Sequence, residues 1–139
     1  MKKQFFLDSN IWIYAYAEKG KTEIKHSLSR NLIDEHFNKI ILSTQTLSEI
    51  YNVLTKKHLL DLDSSEEVIG DLINHFQVNE VKPQTVLKAL KLRKQLQYSY
   101  WDCLMLSSAL LSDCSIFYSE DLQHNQLIEN KLRIVNPFI

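Results

Sequence analysis

Short apolar runs alternate along this chain with longer segments of helical apolar spacing, and that alternation limits the fold more than any other feature. Gln4–Leu7, Lys39–Leu42, Gln77–Val81, Ser115–Tyr118 and Leu132–Val135 read as five strands. Asn10–Ala17 reads as a short helix interrupted near Gly20. Thr22–Asn38 reads as a second, with Ile24, Leu28, Leu32, Ile33 and Phe37 on one face. A third helix starts at Ser43 or Thr44 and carries Leu47, Ile50, Tyr51 and Leu54. Ser64 with Glu67 has the form of a capping box ahead of the stripe Val68, Ile69, Leu72, Ile73 and Phe76. Pro83 suits the first position of a helix continued by Val86, Leu87, Leu90 and Leu96. Trp101–Ser112 is apolar on most sides, as a buried helix is. Strands joined through helices pair in parallel and are covered on both faces. The expected fold is α/β, with three layers (α/β/α) around a central, mainly parallel five-stranded sheet. No linker, repeat or low-complexity tract interrupts the 139 residues, so one domain over 1–139 is expected.

Composition removes several functions. Two isolated glycines, Gly20 and Gly70, are too few for a dinucleotide fingerprint or a phosphate-cradling loop. Cys103 and Cys114 lack the spacing of a metal knuckle or redox pair and lie among apolar residues, as buried free thiols do. The five histidines form no ligand pair at helical spacing, which argues against zinc. The N-terminus lacks the long apolar region of a secretory signal, and no run is long enough to cross a bilayer, so a cytoplasmic location is expected. A net charge of −1 gives no bulk attraction to nucleic acid, although local patches and bound cations can supply a positive field.

Four acids fall where α/β sheets bind ligands, beyond the carboxyl ends of the strands. Asp8 directly follows strand one. Glu49 lies in the helix after strand two. Asp102 opens the helix that leads into strand four, and Asp121 follows that strand by a few residues. Each has an ordinary alternative. Asp8 can cap the next helix, Asp102 can be an N-cap or first-turn acid, Glu49 can be solvated, and Asp121 can be a turn acid. Their joint position is the informative feature. Hard divalent cations prefer oxygen ligands, and clustered carboxylates provide them.

At these residues the chain resembles the PIN-domain family, and within it the VapC-like toxins of type II toxin–antitoxin modules. Leu7-Asp8-Ser9-Asn10 resembles the family's opening, a strand ending in Asp, then Thr or Ser, then Asn. Ser43–Glu49 resembles the segment bearing the second acid, Tyr100-Trp101-Asp102-Cys103-Leu104 the third, and Tyr118-Ser119-Glu120-Asp121-Leu122 the fourth. Ile134–Phe138 resembles a common family ending. The resemblance implies a Mg2+- or Mn2+-dependent endoribonuclease, with two ions per site when substrate is bound. It implies metal ligation by Asp8, Glu49, Asp102 and Asp121, with Asp8 bridging the ions. Asn10 and Ser119 support by hydrogen bonds, and Glu120 competes with Asp121 for the fourth place. It also implies a cognate antitoxin.

Other readings stay open on residues alone. The same site suits a metal-dependent DNA nuclease, and the same fold suits a non-catalytic RNA- or protein-binding module. A phosphatase using Asp8 as nucleophile is disfavoured, because Asn10 replaces the second Asp of that pattern. Lys56, Lys57, His58, Lys88, Lys91, Arg93 and Lys94 are candidate phosphate partners or a solvated face. Trp12, Tyr14, Tyr16, Tyr98 and Tyr100 are candidate base-stacking residues or packing residues. The apolar content of Asn10–Ala17 and Thr22–Asn38 exceeds what covering one sheet face needs, so a homodimer and an antitoxin groove are expected there.

Overall fold

The computed structural model describes residues 3–17 and 23–139. Gly20 and Thr22, where the sequence suggests a helix break and a helix start, lie outside the described residues. The elements are β1 (Phe5–Leu7), α1 (Ser9–Tyr16), α2 (Glu23–Glu35), β2 (Ile40–Ser43), α3 (Thr44–Lys56), α4 (Leu62–His75), β3 (Gln77–Asn79), α5 (Pro83–Gln95), α6 (Tyr100–Leu111), β4 (Ile116–Tyr118), β5 (Leu127–Ile128) and β6 (Leu132–Val135). The sheet has the order β3-β2-β1-β4-β6-β5, and all pairs are parallel except β5 with β6. The strand after β1 lies on one side of it and β4 lies on the other, which opens a switch-point crevice at their carboxyl ends.

Strand periodicity divides the core in two. Phe6, Ile41, Phe117 and Ile134 face α5 and α6, while Phe5, Leu7, Ile40, Leu42 and Tyr118 face α1 to α4. Phe6 stacks on Phe117 across the β1–β4 pair at a centroid distance of 5.5 Å. α6 is buried from Cys103 to Leu110, and both cysteines are free and buried. Among the described residues, no helix is long and apolar enough to cross a membrane.

Three expectations need correction. Among the described residues the sheet has six strands, not five. The added β5 is two residues long, too short to show a period, and reaches β6 through a turn with Glu129 and Asn130 both at φ 54°. The cap of α4 is Asp61, whose carboxylate accepts from the Ser64 N–H at 2.7 Å, so Ser64 is inside the helix and forms no box with Glu67. The apolar stripes also overstate burial. Ile24 is 74% exposed, and Leu28, Ile73, Leu87 and Leu90 are exposed as well. The buried faces of α2, α4 and α5 keep Ile33, Val68 and Leu72 of those stripes and add Ser29, Ser65, Thr85, Ala89 and Leu92. Small side chains let these helices approach closely, and hydrophobic spacing does not register them.

Candidate active site

Asp8 ends β1 and begins α1. Its backbone is extended, as an N-cap requires, and its Oδ1 accepts from the Ser9 N–H at 2.8 Å. The capping role and the site role therefore coexist in one residue. The chain leaves a fully buried strand at this point, so the carboxylate stays buried at 9% exposure. Its Oδ2 accepts from the Ser119 hydroxyl at 2.8 Å, which joins the end of β1 to the end of β4. Burial pushes its pKa from 3.8 up to about 6. The two hydrogen bonds oppose that rise, and the charges of Glu49 and Asp102 add to it.

The other acids gather round it through short polar links. Ser9 donates its hydroxyl to Glu49 Oε1 at 3.1 Å, and Gln45, one turn before Glu49 on α3, donates to Oε2 at 2.8 Å. The same Gln45 amide donates to the Trp101 carbonyl at 2.9 Å, tying the Glu49 helix to the first turn of α6. Asp102 sits in that turn, with Ser99 as the cap, so it is a first-turn acid rather than the N-cap. Asn10 donates to Asp121 Oδ2 at 3.0 Å, and the Asp121 N–H donates to Ser119 Oγ at 3.2 Å. Glu120 turns away to an ion pair with Lys25 at 2.6 Å. Of the two adjacent acids, Asp121 is thus the one bonded into the network around Asp8.

Among the described residues, no three acid, His or Cys side chains stand close enough to hold an ion as placed. Glu49 and Asp121 each accept from an amide, Gln45 and Asn10. The chemistry of the donors nevertheless fits a hard cation. All four are carboxylates, and the amide oxygens of Asn10 and Gln45 are buried with no donor. Cavities flank Asp121 on two sides. One of about 380 Å³ includes Asn10, Tyr14 and Lys57, and one of about 390 Å³ includes Gln95, Gln97, Tyr98 and Gln123. A cavity of about 560 Å³ lies at the edge strand β3 and contains none of the four acids.

Several sequence expectations shift here. Trp12 has no exposure and packs edge-on against Phe76 at 5.1 Å, so it is core and cannot stack on a base. Tyr98 is held by Gln126 and accepts from the Gln123 N–H at 3.0 Å. The sequence reasoning missed Ser9 and Gln45, which position Glu49, and Trp101, which stands exposed beside Asp102. A glutamine four residues before a helical acid was the available signal for Gln45.

The profile of the PIN domain matches residues 5–129. The chain belongs to the PIN-domain family. Its fold is similar to that of the Mycobacterium tuberculosis toxin VapC20, described as cleaving the sarcin–ricin loop, with a TM-score of 0.68 and 14% identity over 82% of this chain and 87% of that one. It is similar to a toxin–antitoxin complex from Klebsiella pneumoniae, with a TM-score of 0.72 and 14% identity over 97% and 98%. It is also similar to DNA-bound VapBC from Salmonella typhimurium, with a TM-score of 0.71 and 20% identity over 96% and 97%. A search of curated proteins by sequence gives no match.

Proposed function

We propose that this protein is a metal-dependent endoribonuclease that hydrolyses RNA phosphodiester bonds and serves as the toxin of a toxin–antitoxin pair. The observation that carries it is Asp8, a buried carboxylate at the sheet's switch point whose pKa is raised to about 6 with two further acids acting on it. A folded protein gains nothing in stability from such a group, and perturbed acids in a crevice mark functional sites. Family membership and the likeness to VapC toxins support RNA as the substrate.

Asp8, Glu49, Asp102 and Asp121 would hold Mg2+ or Mn2+, and two such ions would supply positive charge for the phosphoryl and leaving oxygens and a more acidic water. The chain's own residues prepare for that. Ser119 fixes the Asp8 rotamer, Ser9 and Gln45 fix Glu49, and Asn10 fixes Asp121. Asp8, at a rigid strand end, would be the most firmly held of the four ligands. Lys57, in the cavity beside Asp121, suits a backbone phosphate.

The VapBC likenesses support an antitoxin partner. For the antitoxin, in place of the groove expected on Asn10–Ala17 and Thr22–Asn38, an apolar groove of about 500 Å³ lined by Leu47, Tyr51, Ile69 and Ile73 between α3 and α4 suits an amphipathic helix. The exposed Ile24, Leu28 and Phe37 on and after α2 suit a homodimer. The cytoplasm is the compartment in which such a pair would act. Incubation of the purified protein with RNA and DNA oligonucleotides of one sequence, with Mg2+, Mn2+ or EDTA, tests the activity. Cleavage of RNA in metal alone is expected. Cleavage of DNA in preference to RNA, or no cleavage of a mixed RNA pool, would overturn it.

A further inference from the structure

We propose that the indole of Trp101 is a stacking platform for an unpaired base next to the bond that is cut, an inference that rests on the ribonuclease reading above. Trp101 is 63% exposed on the first turn of α6, immediately before Asp102. Every residue behind it from Cys103 to Leu110 is buried, so the indole is not the fringe of a solvated helix. The indole is thus free to meet a ligand on one face, beside an acid of the cluster.

The main chain that carries the ring is tied to the acid cluster. The Gln45 amide donates to the Trp101 carbonyl at 2.9 Å and to Glu49 at 2.8 Å. Tyr100 meets the indole edge-on, with centroids 5.2 Å apart and planes at 71°. The platform is thus linked to the acid cluster through one side chain and braced by another, which lowers the entropy cost of stacking. A lone indole reads no base edge, so it accepts any base and selects for one that is free to leave its stack.

The two tryptophans make the test direct, since Trp12 has no exposure and gives a constant background. Acrylamide quenching of the whole chain is measured in EDTA with single-stranded RNA and with duplex RNA. Protection of one tryptophan by the single strand and not by the duplex is expected. In Mg2+, Trp101→Ala should raise KM on single-stranded RNA by about tenfold or more, and Trp101→Phe should recover most of the loss. A wild type that cleaves RNA, with a tryptophan that stays quenchable and a KM unmoved by Trp101→Ala, overturns the platform and leaves the ribonuclease. A wild type that neither cleaves nor binds RNA overturns both. Trp101→Ala that splits a dimer in light scattering without changing KM makes the indole a subunit contact, and the platform falls.

Discussion

Replacing Asp8 with Asn should stabilise the metal-free protein at neutral pH. The introduced amide mimics the protonated acid: its oxygen can accept from the Ser9 N–H and its nitrogen can donate to Ser119 Oγ. The size follows from linkage. The folded carboxyl titrates at about 6 against 3.8 when unperturbed, a gap worth about 3 kcal/mol at pH values above both. The sign is set by proton binding. Between pH 4 and 6 the folded state holds the proton and the unfolded chain releases it, so this group costs stability as pH rises through that window. Below about pH 4 both states are protonated and the cost vanishes. Denaturant unfolding in EDTA should therefore show Asp8→Asn more stable by up to about 3 kcal/mol at pH 7.5, roughly a 10 °C rise in Tm, with the gap closing by pH 4. Equal stabilities at pH 7.5, or a gap as wide at pH 4, would refute the reasoning.

Further outcomes follow from the same geometry. Millimolar Mg2+ or Mn2+ should raise the Tm of the wild type by mass action, and Asp102→Asn should shrink that rise in differential scanning fluorimetry. Ser119→Ala removes a hydrogen bond that lowers the Asp8 pKa, so the acid limb of the pH–rate profile should move to higher pH. His58 follows the C-cap of α3 in a left-handed conformation at φ 54°, with the Leu59 N–H reaching back to the Leu54 carbonyl. His58→Gly should accordingly stabilise by about 0.5–1 kcal/mol in urea unfolding.

Much of this was legible in the sequence because buried strands and their order leave strong marks. Phe5–Leu7 and Ile116–Tyr118 stand out as apolar runs, and the acids after them are placed by chain direction alone. What was not legible depends on signals that periodicity does not carry. Ser29, Ser65 and Thr85 are polar by type yet buried, because helices in close contact need small residues rather than apolar ones. The β5–β6 turn uses Glu129 and Asn130 in place of a glycine, which hides the hairpin. The separation of Trp12 from Trp101 was equally hidden. Both flank a site motif, and only the packing of Phe76 on Trp12 shows which one is core.

The central claim is that the four acids act together on RNA, and single-turnover cleavage of one RNA oligonucleotide tests it most directly. Wild type, Asp8→Asn, Glu49→Gln, Asp102→Asn and Asp121→Asn are compared in Mg2+ and in EDTA. The expected result is cleavage by the wild type in Mg2+ alone and a loss of about a hundredfold or more for Asp8→Asn and Asp102→Asn, the scale of removing a charge-stabilising group. Undiminished cleavage by Asp8→Asn, or cleavage by the wild type that persists in EDTA, would contradict it.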